Sequence, residues 1–296
     1  MSERWLWTQK QDIGPSPRLA PALGYDPKGK RVVLFGEYVG EGPSQTGDSA
    51  TWEWDGAAWV QVADMGPPGR GQGAMAYDAT NECFVLFGGS PGLGDTWIWD
   101  GSEWNQVGDM GPQPRISHDM VFDRTRRRVV LYGGSAGNTT FNDTWEWDGT
   151  EWQQIADTGP PRSEHTLVFD EKHNSLILFG GWAPGGMATK DTWEFADSRW
   201  VQRQDIGPKA MATPKAVSTG TRIVLFGGGG RDQAGETWEW NCTLWTERQN
   251  MAPPSRFLHE MTYDRDRQRI VLFGGQSNRS GADTPLGDTW ELTILS

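Results

Sequence analysis

Cysteine and long apolar runs are both scarce in this sequence. Only Cys83 and Cys242 occur among the 296 residues, which is too few for a disulfide framework, so we expect a protein of the reducing cytoplasm. No apolar run approaches the ~20 residues that a membrane-spanning helix needs, and the first residues lack the apolar stretch of a secretion signal. We therefore expect no membrane partner.

Positive charge is scarce as well. Lysine and arginine number 27 against 39 aspartates and glutamates, which gives a formal net charge of −12. Nucleic acids bind basic surfaces, so this balance argues against a general nucleic-acid-binding protein. The one local basic run, at Arg124 and Arg126 to Arg128, is predicted to lie on a solvated hairpin turn.

Helical periodicity and the common catalytic motifs are also missing. No long segment shows the 3.6-residue apolar period of an amphipathic helix. No glycine-rich phosphate loop stands between a strand and a helix, and no nucleophilic serine or cysteine motif comes with a convincing base. These absences favour an all-β protein whose function does not follow from a short motif.

Tryptophan and glycine, by contrast, are abundant, at 18 and 39 residues. The stretch from Thr144 to Gly149, followed by Trp152, predicts a β-hairpin of two Trp-bearing strands joined by a polar turn. Versions of this hairpin occur six times, and the first Trp of each is Trp52, Trp97, Trp145, Trp193, Trp238 or Trp290. Gaps of 45, 48, 48, 45 and 52 residues separate these positions. Such a period is the signature of a repeat architecture.

Each repeat contains four predicted strands, of which the last two form the Trp hairpin. Six such units predict an all-β fold, a six-bladed β-propeller of four-stranded antiparallel blades. The sixth unit lacks its outer strand, and residues 1–14 align with one, so we predict that the N-terminal strand completes the last blade and closes the ring. The predicted single domain covers 1–296, with blades at approximately 15–66, 67–111, 112–159, 160–207, 208–252 and 253–296.

The second strand of five units ends in a double glycine: Gly88-Gly89, Gly133-Gly134, Gly180-Gly181, Gly227-Gly228 and Gly274-Gly275. Together with the two spaced Trp that follow, these pairs resemble kelch repeats over essentially the whole chain. The resemblance implies that the loops after the double glycine, and those entering the inner strand, lie on one face around a central channel. We call this the loop face. It is the face on which kelch proteins usually bind partners or substrates.

An arginine stands eight residues before the end of the inner strand in five units: Arg18, Arg70, Arg115, Arg162 and Arg256. Five guanidiniums at one channel mouth would suit a carboxylate or phosphate, and some kelch adaptor proteins are similar in holding acidic peptides with arginines there. The alternative is that each arginine pairs with a carboxylate of its repeat, such as Glu53 or Glu146, and serves the fold.

Three aromatic residues in the loops are candidate contact anchors. Tyr38 and Phe141 occupy corresponding loops of the first and third units. Trp182 opens a long loop after a double glycine, where it either contacts a ligand or packs on its own loop. The longest loops, 37–50 and 276–287, flank the ring closure, and long loops on a rigid scaffold commonly carry function.

Histidines and carboxylates supply the remaining candidates. His118, His165 and His259 share one column, and three converging histidines could hold a metal. Histidine is common at this position in kelch repeats, however, so we expect neither a metal nor another cofactor. Glu260 and Asp119 begin inner strands where the first two units have alanine. With His118, they are the candidate acids or bases if the channel mouth is catalytic.

These observations predict a monomeric kelch binding module. Its expected partner is an anionic small molecule or an acidic protein segment, held on the loop face at the channel mouth. The alternative is an enzyme of the epimerase, isomerase or lyase type, with or without a metal, whose active site occupies the same mouth.

Overall fold

The computed structural model describes residues 3–10, 13–38, 47–108, 110–204, 206–229, 235–248, 252–277 and 284–295. These residues form six four-stranded antiparallel sheets and contain no helix. We number the sheets as blades 1 to 6 in chain order and name the strands of each blade inner, second, third and outer.

The inner, second, third and outer strands of blade 1 are, in this order, Ala22–Asp26, Arg31–Phe35, Thr51–Trp54 and Trp59–Ala63. Those of blade 2 are Ala74–Asp78, Cys83–Phe87, Thr96–Trp99 and Trp104–Gly108. Those of blade 3 are Asp119–Asp123, Arg128–Tyr132, Thr144–Trp147 and Trp152–Ala156. Those of blades 4 to 6 are Thr166–Asp170, Ser175–Phe179, Thr192–Ala196 and Arg199–Gln204; Lys215–Ser218, Ile223–Phe226, Thr237–Trp240 and Trp245–Arg248; Glu260–Asp264, Arg269–Phe273, Thr289–Leu295 and Arg4–Gln9.

Short ladders also join parts of the loops. They are Ser135–Ala136 with Thr139–Thr140, Trp182–Ala183 with Met187–Ala188, and Arg256–Phe257 with Gln276–Ser277 and Thr284–Pro285.

The six blades are arranged in a ring around a central axis. Each inner strand contacts the inner strands of the blades before and after it, and the inner strand of blade 6 contacts that of blade 1. The prediction of an all-β propeller built from four-stranded antiparallel blades is therefore confirmed. The turns between inner and second strands lie on the face opposite the loop face, and we call this the hairpin face.

The ring is closed by strands from the two ends of the chain. Arg4–Gln9 pairs antiparallel with Thr289–Leu295, and Trp7 stands opposite Leu292. The same register places Trp59 opposite Trp54 in blade 1, so Trp7 occupies the predicted outer-strand position. Pairing begins earlier than the alignment indicated, with Arg4 opposite Leu295.

Apolar packing between neighbouring blades holds the ring. The second strands read as continuous runs of Val, Ile, Leu and Phe because both of their faces are covered, and Val33, Leu34 and Phe35 have no exposed surface. Six clusters of buried side chains join adjacent blades. One of them unites Leu34 and Trp54 of blade 1 with Phe273 of blade 6.

A hydrogen bond accompanies this packing at every junction. The Trp near the start of each outer strand donates its indole N–H to the Thr that opens the third strand of the preceding blade. The six pairs are Trp7 with Thr237, Trp59 with Thr289, Trp104 with Thr51, Trp152 with Thr96, Trp200 with Thr144 and Trp245 with Thr192, at 2.8–3.3 Å. All six threonines are buried, so each bond satisfies two polar groups that water does not reach.

Two features bear on the environment of the protein. Cys83 and Cys242 are free thiols. Among the described residues, no helix is long and apolar enough to cross a membrane.

The contribution of the N-terminal strand can be measured at Trp7. Replacing Trp7, which is 4% exposed, by Ala should lower the free energy of unfolding by about 3–5 kcal/mol, the usual cost of truncating a buried aromatic residue. The neighbouring Leu6 is 46% exposed, and Leu6→Ala should change stability by no more than ~0.5 kcal/mol. Urea denaturation measures the free energy of unfolding of both variants. Equal losses of stability in the two would show that the strand does not close the ring.

Candidate functional site

The central channel is lined by the first residues of five of the six inner strands. They are Ala22, Ala74, Asp119, Lys215 and Glu260. Blades 1 and 2 contribute small side chains, whereas blades 3, 5 and 6 contribute charged ones. This asymmetry leaves a cavity of about 240 Å³ in the channel.

Lys215 brings two of the predicted carboxylates together. Its ammonium group lies 2.8 Å from Glu260 Oε1 and 3.9 Å from Asp119 Oδ2. The three side chains come from different blades and are only 15–19% exposed. Asp119 is further fixed by two hydrogen bonds that its carboxylate accepts from the backbone N–H groups of Met120 and Leu167.

Burial sets the charge state of this triad. Burial and the negative charge of Asp119 raise the pKa of Glu260 to about 7, although Lys215 acts the other way. Burial also raises the pKa of Asp119. Burial alone would lower the pKa of Lys215, but Asp119 and Glu260 outweigh it and raise that pKa. Glu260 therefore exchanges its proton near neutral pH while Lys215 remains charged.

The channel is narrow towards the loop face. Six residues with positive φ, one from each blade, surround it there: Ala20, Gln72, Ser117, Glu164, Thr213 and Leu258. Five successive N–H to C=O hydrogen bonds of 2.7–3.0 Å link Leu258, Ala20, Gln72, Ser117, Glu164 and Thr213 in that order. The cavity inside this backbone ring is about 40 Å³, which is little more than the volume of one water molecule.

Towards the hairpin face the channel is wider. The larger cavity extends from Lys215 and Glu260 to the first turn residues after the inner strands, among them Arg124, Glu171 and Arg265. Arg124 Nε lies 3.3 Å from Glu171 Oε1, and both arginines are exposed. Arg124 is thus on an exposed turn as predicted, but this turn borders the channel opening.

The arginine column does not form an open anion site. Arg18, Arg70, Arg115, Arg162 and Arg256 are 0–7% exposed. Each guanidinium donates to an aspartate before the third strand of its own blade, at 2.5–3.0 Å, and the partners in the same order are Asp48, Asp95, Asp143, Asp191 and Asp288. Four of the arginines also donate to the carbonyl of the glycine that follows the second strand. We therefore assign these arginines to the fold.

These ion pairs correspond to the alternative interpretation, in which each arginine pairs with a carboxylate of its own repeat, but the carboxylate is not the expected one. The partner is not the third-strand glutamate. In blades 2, 3, 4 and 6 it is the aspartate two residues before the third-strand Trp, and its carboxylate also accepts the indole N–H of that Trp, as Asp288 does from Trp290 at 2.7 Å. In blade 1 it is Asp48, which is four residues before Trp52. Burial would raise the pKa of Asp288, but Arg256 and Trp290 outweigh it and lower that pKa.

The three histidines lie at separate blade junctions. His118, His165 and His259 are each packed edge-on against an aromatic ring of the preceding blade, respectively Phe87, Tyr132 and Phe226, at 5.5–5.6 Å between ring centroids. Burial lowers the pKa of His165 to about 3, and it holds the pKa values of His118 and His259 well below the usual range. Among the described residues, these histidines do not bring three ligand atoms within 4.8 Å of one another.

His118 is also separate from the larger cavity, which Asp119 and Glu260 line. It borders the small cavity inside the backbone ring instead, which Lys215 and Glu260 also line. The structure thus places Asp119 and Glu260 on the larger cavity, and His118 with Glu260 on the smaller one.

The aromatic candidates lie on the loop face. Trp182 donates its indole N–H to Glu164 Oε2 at 2.8 Å, so it stands beside the backbone ring. The backbone of Tyr38 pairs with Leu19, next to the same ring. Phe141 covers the Arg115 guanidinium, 4.0 Å from its ring centre. Residues 39–46 and 278–283, most of the two longest loops, lie outside the described residues.

Lys215 was missed by the sequence analysis although a signal for it was present. Aligning the inner strands places it in the column of Asp119 and Glu260, and a lysine is unusual at a position otherwise held by small or acidic residues. Its contact with both acids depends on the order of the blades around the ring, which no single strand reveals.

The glycine pairs, the Trp hairpins and the four-stranded blades around a channel define a kelch-type β-propeller. The sequence model of the KLHDC2/KLHL20/DRC7 kelch-repeats domain matches residues 22–228, and the chain belongs to this family. The solved structure of YjhT is similar over 96% of this chain and 98% of that chain, with a TM-score of 0.71 and 15% sequence identity, which shows the shared fold. No curated protein matches the sequence.

A structural role for the arginine column predicts a large loss of stability at Arg115. Arg115→Met leaves Asp143 without its ion-pair partner and should lower the free energy of unfolding by about 3–5 kcal/mol. The double variant with Asp143→Asn should recover part of this loss, because the uncompensated carboxylate is removed. Arg127→Met, on an exposed turn, is the control. A loss at Arg115 no larger than the control's in urea denaturation would contradict the assignment.

Glu260 predicts a pH dependence of stability. Its folded pKa of about 7 is above the ordinary glutamate value of 4.5, so the folded state holds this proton more tightly than the unfolded chain. The contribution is complete below pH 4.5 and is lost as the pH rises through 7. The stability of the wild type minus that of Glu260→Gln should therefore fall over this window, by at most about 3 kcal/mol. Urea denaturation at several pH values measures it, and a flat or rising difference would exclude the raised pKa.

Proposed function

We propose that this kelch propeller is a binding module that takes up a small anionic molecule, or one acidic side chain of a peptide, through the hairpin-face opening of its channel. The observation that carries the proposal is the cavity of about 240 Å³ that runs from exposed arginines to a buried lysine. It lies below the ~300–1,000 Å³ typical of pockets for drug-sized ligands, which favours a compact ligand.

Two guanidiniums at the opening support an anionic ligand. Burial and the nearby Arg265 guanidinium lower the pKa of Arg124, which means that the two like charges repel each other across the opening. A carboxylate or phosphate between them would relieve this repulsion and could accept hydrogen bonds from both.

The inner end of the cavity supplies two further donors. Lys215 is positively charged, and Glu260 carries a proton when the pH is below about 7. In that state the triad has no net charge, since Asp119 balances Lys215, and both the ammonium group and the Glu260 hydroxyl can donate to a ligand. Anion binding should therefore strengthen as the pH falls through 7.

The proposed ligand is still an anion, as expected from the sequence, but its proposed site is at the hairpin-face opening instead of on the loop face. The arginine column on which a loop-face site depended is buried and bonded to aspartates, whereas the small lining residues of blades 1 and 2, such as Ala22 and Ala74, leave room on the hairpin side.

Calorimetric titration with a panel of small carboxylates and phosphates tests the proposal. Arg265→Ala should weaken the binding of the panel's best ligand about tenfold or more, as loss of one charge-assisted hydrogen bond of ~1.5–3 kcal/mol does. Arg127→Ala, on the same hairpin as Arg124 but outside the cavity lining, is the matched control and should leave affinity unchanged.

The Trp182→Ala variant distinguishes a ligand site on the loop face from one on the hairpin face. Loss of binding in this variant, with Arg265→Ala unaffected, would place the site on the loop face and overturn the proposal. No binding of any anion at pH 6 by the wild type would do so as well.

Catalysis in the same cavity is a second candidate, favoured by the near-neutral pKa of Glu260 beside Lys215. A carboxyl group that exchanges its proton at working pH suits general acid–base chemistry. Deuterium exchange into a bound ligand in heavy water, followed by NMR, tests it. Exchange that Glu260→Gln abolishes while binding persists would favour an enzyme, and no exchange would favour the binding module.

A further inference from the structure

One junction between blades carries side chains that the repeat does not require. At two blade junctions the third residue after the inner-strand aspartate faces the outer turn of the next blade. Asn81 meets Gly149 in this way, since a Cβ on that glycine would lie 2.6 Å from Asn81 Nδ2. Arg267 faces Gly56 at the junction of blades 6 and 1.

At the junction of blades 4 and 5, the corresponding residues are His173 and Cys242. The outer-turn glycines Gly56, Gly101 and Gly149 have φ values of 98–105°, and Cys242 is held in the same left-handed region at 76°. A cysteine thus stands where three other blades use glycine, and a histidine stands where blades 2, 3 and 6 have asparagine or arginine.

These two residues meet the aspartate of the inner strand. Asp170 Oδ1 accepts hydrogen bonds from the backbone N–H groups of Lys172 and His173, and Asp170 Oδ2 lies 2.9 Å from His173 Nδ1. One ligand atom from each of Asp170, His173 and Cys242 lies within 4.8 Å of the other two. This is the one such group of three that the described part of the chain contains.

The donors elsewhere in this column are of another kind. The second oxygen of the inner-strand aspartate is bonded by Asn81 Nδ2 in blade 2, by Arg126 Nη1 in blade 3 and by Arg267 Nε in blade 6. An amide or guanidinium donor excludes a cation. At blade 4 an imidazole nitrogen replaces it, and that nitrogen can bind a metal once it is deprotonated.

We propose that Asp170, His173 and Cys242 form a zinc site that joins blade 4 to blade 5. One carboxylate oxygen, one imidazole nitrogen and one thiolate sulfur form a donor set that binds Zn²⁺ in preference to the alkaline-earth cations. Metal–ligand bonds of about 2.0–2.3 Å place tetrahedral ligand atoms roughly 3.3–3.7 Å apart. The separation of 2.9 Å between His173 Nδ1 and Asp170 Oδ2 is close to this range, and the His173 side chain, which is 45% exposed, has room to adjust.

The fourth coordination position opens into a cavity. Glu194 and Arg203 line the same cavity as the three ligands and are themselves ion-paired. A water molecule completes the zinc coordination there, since Arg203 already holds the Glu194 carboxylate.

The location gives the site a structural purpose. Blade 5 is the blade without the arginine–aspartate pair, because Met211 takes the arginine's place and Glu236 the aspartate's, where it accepts the Trp238 indole N–H. A zinc ion bound by two residues of blade 4 and one of blade 5 would link this blade to its neighbour on the hairpin face.

Competition of the chelator-treated full chain with a chromophoric zinc chelator tests the site. The wild type should bind one equivalent of Zn²⁺. Cys242→Gly, which restores the repeat's own residue, and His173→Asn, which copies blade 2, should each weaken zinc binding by about 100-fold or more, since even the loss of an outer partner of a ligand costs ~10–100-fold. Asn81→Ala, at the equivalent exposed position of blade 2, should bind zinc as the wild type does.

Cobalt substitution identifies the ligands independently. The Co²⁺ form of the wild type should show a thiolate-to-metal charge-transfer band that Cys242→Gly lacks, and zinc should raise the melting temperature of the wild type but not of this variant. Equal zinc affinity of the wild type and Cys242→Gly, or a charge-transfer band that persists without Cys242, would overturn the proposal.

Discussion

The indole-to-hydroxyl hydrogen bond between neighbouring blades is the interaction on which the ring depends. An outer-strand Trp reaches back to a buried Thr of the preceding blade six times, and the pairs of Trp7 with Thr237 and Trp59 with Thr289 connect the two ends of the chain. Each Trp also packs against apolar side chains of two blades, as Trp59 does in the cluster that joins blades 1 and 6. A buried hydroxyl and a buried indole N–H are costly to leave unpaired, so each junction fixes the orientation of the next blade.

A second network, of buried arginines paired with aspartates, lies on the loop face. In blades 2, 3, 4 and 6 the aspartate before the third strand receives both a guanidinium and an indole N–H, as Asp143 does from Arg115 and Trp145. Two donors of this kind offset the free-energy cost of removing the carboxylate from water. The backbone ring of positive-φ residues then lies on this framework and narrows the loop-face end of the channel.

Positions where the repeat is broken carry the side chains on which the proposed functions depend. Asp119, Lys215 and Glu260 replace the alanines of blades 1 and 2, and they join blades as well as lining the proposed site. Lys215 links blade 5 to blade 6 through Glu260, while Asp119 links blade 3 to the backbone of blade 4 at Leu167. The junction of His173 and Cys242 departs from the repeat in the same way on the hairpin face.

The sequence by itself determined the repeat, its four strands, the kelch-type propeller and the use of the N-terminal strand in the last blade, because these follow from local patterns that recur six times. It also marked Asp119 and Glu260 as departures from their column. Only the tertiary structure decided that the arginines are buried partners of aspartates, that Lys215 joins the two acids, and that the wider end of the channel lies on the hairpin face. The arginine–aspartate pairs depend on contacts across a loop within one blade, and the other two facts depend on distances between residues of different blades. A pattern along one chain contains neither. Ring closure brings such residues together across the axis, and the resulting burial then sets their charges.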